Sequence, residues 1–281
     1  MRPTISIITP VRNGERFIRG CVQNVIAQCC PEIEHIIIDG ASTDETVAIL
    51  REIAATNSHL RIVSEPDRGQ SDALNKGIAL VKADYIGILN VDDFYEPGTL
   101  NRVCDLIRNS DRRALLVANC RVVGEDDRVL YTNMPRDLDI DRLLVGEHFY
   151  AFPYNPSQYF YPKRLHEILG PYDISEHFVM DIKFLFAAVQ NIETRYFDEI
   201  WGNFRFVKGT KTFDDTVSGK SAERKRRVYR QFFSRRPMRN KLAILALSIS
   251  CRLRKRYWDW ASQLRRHRHS KPHASSSPDS A

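Results

Sequence analysis

The 281-residue sequence contains neither GxGxxG nor GxxxxGK[ST], the glycine-rich patterns that cradle phosphates in dinucleotide-binding and P-loop proteins. Any nucleotide must therefore be held in another way. The six cysteines, Cys21, Cys29, Cys30, Cys104, Cys120 and Cys251, form no CxxC pair and have no histidine at zinc-finger spacing. They read as reduced core thiols, which excludes a structural zinc module. No stretch approaches ~18 consecutive apolar residues, so no membrane-crossing helix is expected. Residues 1–10 lack the charged and then apolar regions of a secretory leader, and the expectation is a chain that stays in a reducing cytoplasm. There is no internal repeat.

With 43% apolar residues the chain has enough material for one large α/β domain with appendages. The net charge of +7 conceals two opposite regions. Residues 1–219 hold 24 Lys and Arg against 32 Asp and Glu, a net of −8, whereas residues 220–273 hold 18 against two, Glu223 and Asp259. A basic balance spread over a fold would point to nucleic acid, but here it belongs to a terminal segment, and no nucleic-acid module accompanies it.

What is present is a short apolar run ending in paired acids, Tyr85-Ile86-Gly87-Ile88-Leu89-Asn90-Val91-Asp92-Asp93. An earlier run, Ile36-Ile37-Ile38-Asp39, ends the same way. In an open α/β sheet, ligands settle beyond the carboxyl ends of parallel strands, so Asp39, Asp92 and Asp93 are expected to share one crevice. Adjacent strand-end acids suit a hard dication that takes its remaining ligands from water and substrate phosphates, which points to a nucleoside diphosphate.

The first ~95 residues alternate strand and helix. Strands are expected at residues 5–10, 36–39, 60–63 and 84–91. Helices are expected at 15–28, capped by Asn13, after a Ser42/Glu45 capping box, and at 71–81. This rhythm implies βαβ units and a mostly parallel sheet. Beyond Asp93 a mixed region begins: a helix at 99–109, a hairpin turning at residues 124–127, Pro-rich loops with aromatics suited to a sugar-binding wall, a helix at 179–190 and a strand at 192–197. From Pro237 onward, Leu242, Leu245, Ile249, Leu253, Tyr257, Trp260 and Leu264 form one stripe among arginines and lysines, an amphipathic basic helix that either seats in an anionic membrane interface or docks on the domain. The organisation expected is an α/β half at 1–95, a mixed half at 96–219, a basic helical segment at 220–266 and a disordered tail at 267–281.

Four ordered motifs carry a family resemblance: Ser6-Ile7-Ile8-Thr9-Pro10-Val11-Arg12-Asn13-Gly14, Ile38-Asp39-Gly40-Ala41-Ser42-Thr43-Asp44, Asp67-Arg68-Gly69-Gln70-Ser71-Asp72-Ala73-Leu74-Asn75-Lys76-Gly77, and Leu89-Asn90-Val91-Asp92-Asp93. Together they resemble the family 2 inverting glycosyltransferases of GT-A fold, and the match is weaker over residues 94–215. The resemblance implies that Thr9, Pro10, Arg12, Asn13 and Glu15 line the base and ribose pocket. It implies that Asp39 accepts from a pyrimidine N–H, that Asp92 lies near ribose or sugar hydroxyls, and that Asp93 binds Mg²⁺ or Mn²⁺. Arg68 either offsets pyrophosphate charge or forms a surface ion pair. Asp181, at the head of an apolar helix, is the candidate general base, with Asp173, Glu176 and His177 as competitors. The family's late loop carries a histidine near Val207 that this chain lacks, leaving Arg205, Lys208 or Lys211 for phosphate contacts. Gln158 is a candidate for hydrogen-bonding sugar.

The function expected is transfer of a sugar, most simply from a UDP-sugar, to a hydroxyl on a lipid-linked or polysaccharide acceptor at the inner face of the plasma membrane. The alternatives are a nucleotidyltransferase, for which no triphosphate signature is found, and an inactive peripheral adaptor with the same fold.

Overall fold

The structure, a computed structural model, describes residues 3–109, 113–147, 149–176 and 178–269, with side chains to residue 257. The chain forms two compact units that divide between Arg235 and Arg236.

The first unit begins as the sequence pattern requires. β1 (Ile5–Val11) is buried along its whole length, as expected of a parallel strand covered on both faces. It is followed by α1 (Ile18–Ala27), β2 (Ile33–Asp39), α2 (Thr46–Ala54), β3 (Leu60–Ser64), α3 (Gln70–Leu80) and β4 (Tyr85–Ile88). These four strands lie in the order β3-β2-β1-β4, all parallel. The chain reverses its direction of travel across the sheet between β1 and β4, and their carboxyl ends therefore flank a crevice.

The two expected caps are not formed. Asn13 stands at φ 51° with its side chain accepting from Thr43 N at 2.9 Å, and α1 starts only at Ile18. Ser42 bonds to Asp39, Glu45 N bonds to Glu15, and α2 starts at Thr46. Both cap sequences instead lace together the loops that follow β1 and β2.

β5 (Phe94–Tyr95), α4 (Thr99–Arg108), β6 (Leu115–Val123), β7 (Val129–Asn133), α5 (Ile140–Leu143), β8 (Tyr159–Pro162), α6 (Leu165–Leu169), α7 (Met180–Asn191) and β9 (Thr194–Arg205) extend the same sheet. β8 joins antiparallel to β4 and β6, β9 runs parallel to β6, and β5 pairs antiparallel with β9. The hairpin between β6 and β7 turns where expected. The strand expected at 192–197 is twelve residues long and carries Arg205 at its end.

α8 (Lys211–Val217) and α9 (Lys220–Ser234) close the unit. The sequence reading grouped α9 with the basic tail, but it packs within the first unit. Val228 is fully buried, and Tyr229 and Phe232 meet Phe186 edge-on at 5.1 and 5.3 Å. The second unit holds α10 (Met238–His269), a single helix on which Leu242, Leu245, Ile249, Leu253 and Tyr257 are exposed. It runs three residues into the segment expected to be disordered, and residues 270–281 lie outside those described. No helix of the described residues is long and apolar enough to cross a membrane. The six cysteines are free thiols.

Candidate active site

Two cavities open at the carboxyl end of the sheet. The first, about 510 Å³, lies beyond β1 and β4 and is lined by Pro10, Arg12, Asn13, Asp67, Asn90 and Asp92, with Gln70 at the head of α3. The second, about 660 Å³, is lined by Tyr154, Asn155, Phe178, Asp181, Lys211 and Lys225 among others. Gln70, Asn90, Phe204, Lys211 and Thr212 belong to both, and so form their common wall. The wall is itself hydrogen-bonded: Lys211 Nζ donates to Gln70 Oε1 at 2.8 Å, and Gln70 Nε2 donates to Asn90 Oδ1 at 3.2 Å.

The two strand-end acids have different surroundings. Asp93 is 1% exposed, and both its carboxylate oxygens are engaged. Oδ1 accepts from Arg205 N at 3.0 Å, and Oδ2 accepts from Asn90 Nδ2 at 3.0 Å and Asn155 Nδ2 at 2.7 Å. Burial, and then the neighbouring Asp92 charge, push its carboxyl far above the ordinary range, while these donors oppose the rise. Asp92 is partly exposed and faces the first cavity. Burial raises its carboxyl too, opposed by its own backbone N–H and by Arg205. The Arg205 guanidinium donates to the Asp92 main-chain oxygen at 3.1 Å and is otherwise held by Asp127 and the Phe94 ring, so it does not occupy the Asp92 carboxylate. The sequence reading gave the metal to Asp93; in this structure Asp92 lines the cleft, while Asp93 lies behind it with both oxygens hydrogen-bonded.

Asp39 is fully buried behind the same cleft. Its oxygens accept from Ser42 N at 3.1 Å, Ser64 Oγ at 2.6 Å and Ser42 Oγ, so in this conformation it fastens the loops after β2 and β3 and lines neither of the two cavities. The single crevice expected for Asp39, Asp92 and Asp93 contains Asp92 alone. Thr9 is also buried, bonded to His35 Nε2 at 2.9 Å. Strand alternation sends its side chain away from the cleft that the neighbouring Pro10 lines. Glu15 is an exposed loop clamp accepting from Glu45 N at 3.1 Å. Arg68 forms a surface ion pair with Asp72 at 2.9 Å and is 69% exposed. Gln158 is fully buried, and Lys208 lines neither cavity, its main-chain N–H being bonded to Glu125. Pro10, Arg12 and Asn13 stand where expected.

Asp181 lies in the first turn of α7 and opens into the second cavity. Burial pushes its carboxyl up to about 6, against the Ile182 N–H at 2.8 Å and the positive charges of Lys211 and Lys225. Its competitors are occupied elsewhere. Asp173 is held down to about 2 by Ser175, with Lys183 at 3.3 Å, and Glu176 is paired with Arg227 at 2.6 Å. His177 lies outside the described residues.

Asp67, Gln70, Asn90, Asn155 and Lys225 were not singled out from the sequence as site residues. The first three sat in quoted motifs, beside the acids that drew attention. Asp67 is packed against Gly40, where any Cβ would strike its carboxylate, so the glycine of the second motif makes room for the aspartate of the third.

Residues 6–169 match the profile described as "Glycosyl transferase family 2", and the chain belongs to that family. It is 27% identical over 255 residues to the PGL/p-HBAD biosynthesis glycosyltransferase of Mycobacterium bovis (strain BCG / Pasteur 1173P2), covering 89% of this chain and 90% of the relative. The fold is similar to that of the mannosyltransferase PcManGT from Pyrobaculum calidifontis in complex with GDP-Man and Mn²⁺, with a TM-score of 0.58, 18% identity, and 93% and 84% of the two chains covered. It is also similar to S. aureus TarS 1-349 in complex with UDP-GlcNAc, with a TM-score of 0.57 and 18% identity over 72% of this chain, which spans 58% of that fragment. The protein is thus a glycosyltransferase with the GT-A architecture.

Proposed function

We propose that this family 2 glycosyltransferase moves a sugar, with inversion, from a UDP-linked donor in the cleft beyond β1 and β4 to a hydroxyl of a lipid-linked or polysaccharide acceptor in the second cavity. The observation that carries this is the pair of acids on either side of one wall, Asp92 in the first cavity and Asp181 in the second.

Asp92 fits a dication. It is a carboxylate at the cleft without a competing guanidinium, and no cluster of three ligating side chains surrounds it among the described residues. One protein carboxylate completed by phosphates and water is the donor set Mg²⁺ accepts, and Mn²⁺ tolerates it equally. When bound, the ion would neutralise charge on the departing diphosphate. Pro10, Arg12, Asn13 and Asp67 would hold the nucleoside, and the N-terminal turn of α3 with Lys211 would face the phosphates.

Asp181 then takes the proton of the acceptor hydroxyl as that oxygen attacks the anomeric carbon, while the bond to the diphosphate breaks and its electron pair leaves with the phosphate oxygen. A carboxyl raised to about 6 is ionised at neutral pH yet more basic than an exposed aspartate, as the task requires. The exposed stripe of α10 and the basic residues around it support contact with an anionic membrane. Nucleotide sugars screened for diphosphate release, with and without Mg²⁺ or Mn²⁺, test the assignment: turnover of a UDP-sugar that needs the metal and is lost in Asp181→Asn supports it. Full turnover in Asp181→Asn would refute it.

A further inference from the structure

Eight large hydrophobic residues of the first unit are exposed among the described residues, and four of them, Val129, Leu130, Tyr131 and Met134, fall within six consecutive positions. Three lie in β7, which pairs with β6 and with no other strand among the described residues. Edges of sheets are normally blunted by charge or proline, and residues 129–134 carry neither. Isolated exposed apolar side chains need no explanation, but a contiguous set does.

Two of the set reach the second cavity. Leu130 and Tyr131, 51% and 50% exposed, line it together with Asp181 and with Phe178, itself 40% exposed. Apart from Asp181, the charged groups of that cavity are matched within the protein: Lys225 with Glu147 at 2.9 Å, Lys211 with Gln70 at 2.8 Å, and Asp215 with Arg224. What the cavity offers a ligand along this rim is chiefly apolar and aromatic surface.

We infer that β7 receives the apolar part of the acceptor, so that the reacting hydroxyl is carried on an alkyl, acyl or aryl group. This rests on the acceptor reading above and narrows it, favouring the lipid-borne acceptor over a polysaccharide. A hydroxyl offered to Asp181 would leave its apolar bearer lying outward across Phe178, Leu130 and Tyr131, removing that surface from water.

The test is titration of the full chain, with UDP and Mg²⁺ present, by octyl β-glucoside below its micellar concentration and by methyl β-glucoside. Two variants accompany the wild type: Leu130→Ser/Tyr131→Ser, at positions exposed enough to leave the core intact, and Ile168→Ser, an equally exposed site on α6. The octyl compound is expected to bind wild type and Ile168→Ser at least ~10-fold more tightly than the methyl one, and the advantage is expected to shrink below ~2-fold in the double variant. Equal binding of the two glucosides by the wild type overturns the inference, as does an octyl advantage that survives the double substitution. Conversion of a dimer to a monomer by that substitution, without change in octyl binding, also overturns it and gives β7 to self-association. Failure of the enzyme reading would show separately, as absence of metal-dependent donor turnover, whatever the octyl result.

Discussion

The two sides of the common wall differ in how they are built. The first cavity is lined at the ends of adjacent parallel strands, by Pro10 in β1, Arg12 and Asn13 just after it, and Asn90 and Asp92 after β4. The second cavity gathers Leu130, Tyr154, Asp181 and Lys225 from β7, a loop, α7 and α9, and is apolar where β7 borders it. On the proposed reading, the site for the nucleoside diphosphate follows from sheet topology, whereas the site for the acceptor is assembled from elements scattered along the chain.

Exchanging the acid on each side should break this division most sharply. Asp181→Asn is expected to lower transfer by roughly 10³-fold, within the range for loss of a general base, while leaving UDP affinity unchanged. Steady-state kinetics beside nucleotide titration check it; a matching loss of UDP affinity would mean that Asp181 serves the donor side.

Asp93→Ala should act on the wall instead of on either ligand. Three donors would lose their acceptor, and destabilisation of about 2–4 kcal/mol is expected in denaturant titration. Wild-type stability would place the Asp93 carboxylate at the cleft.

The raised Asp181 carboxyl has two consequences. Transfer should fall about tenfold per pH unit below roughly pH 6, where the base is protonated. Stability should show the opposite sense. The folded carboxyl binds its proton more tightly than the unfolded one, at about 3.9. Its contribution is therefore most favourable below pH ~4, declines through pH ~4–6 and stays diminished above. Asp181→Asn should accordingly stabilise the protein by about 1–3 kcal/mol above pH 7 and by almost nothing near pH 4, as melting curves across that range would show.

Arg68→Ala marks the lower end of the scale. A guanidinium 69% exposed and paired along its own helix entry should leave the donor KM within about twofold of wild type. A tenfold rise would return Arg68 to the pyrophosphate.

The parallel half was legible because buried strands read as unbroken apolar runs and its helices carry regular stripes; β1 through α3 depart from the reading by a few residues at their ends. β5 and β8 were not legible, being two and four residues long and rich in aromatics that suit loops equally well. α9 was misgrouped because Lys220, Arg224, Lys225, Arg226 and Arg227 dominate its sequence, while a few residues, Val228, Tyr229 and Phe232, decide where it packs. Within the site, the acid pair was visible but the orientation of its members was not. What turns Asp93 inward is Asn155, 62 residues away, and the Arg205 N–H, 112 residues away. Local sequence says nothing about donors that distant.

The central claim, that Asp92 grips the donor's phosphates through a dication while Asp93 builds the wall, is tested most directly by melting wild type and Asp92→Asn with UDP, with and without Mn²⁺. UDP should stabilise the wild type far more when the metal is present, and Asp92→Asn should lose that metal-dependent increment while melting normally without ligand. A wild-type increment retained in Asp92→Asn would contradict the account.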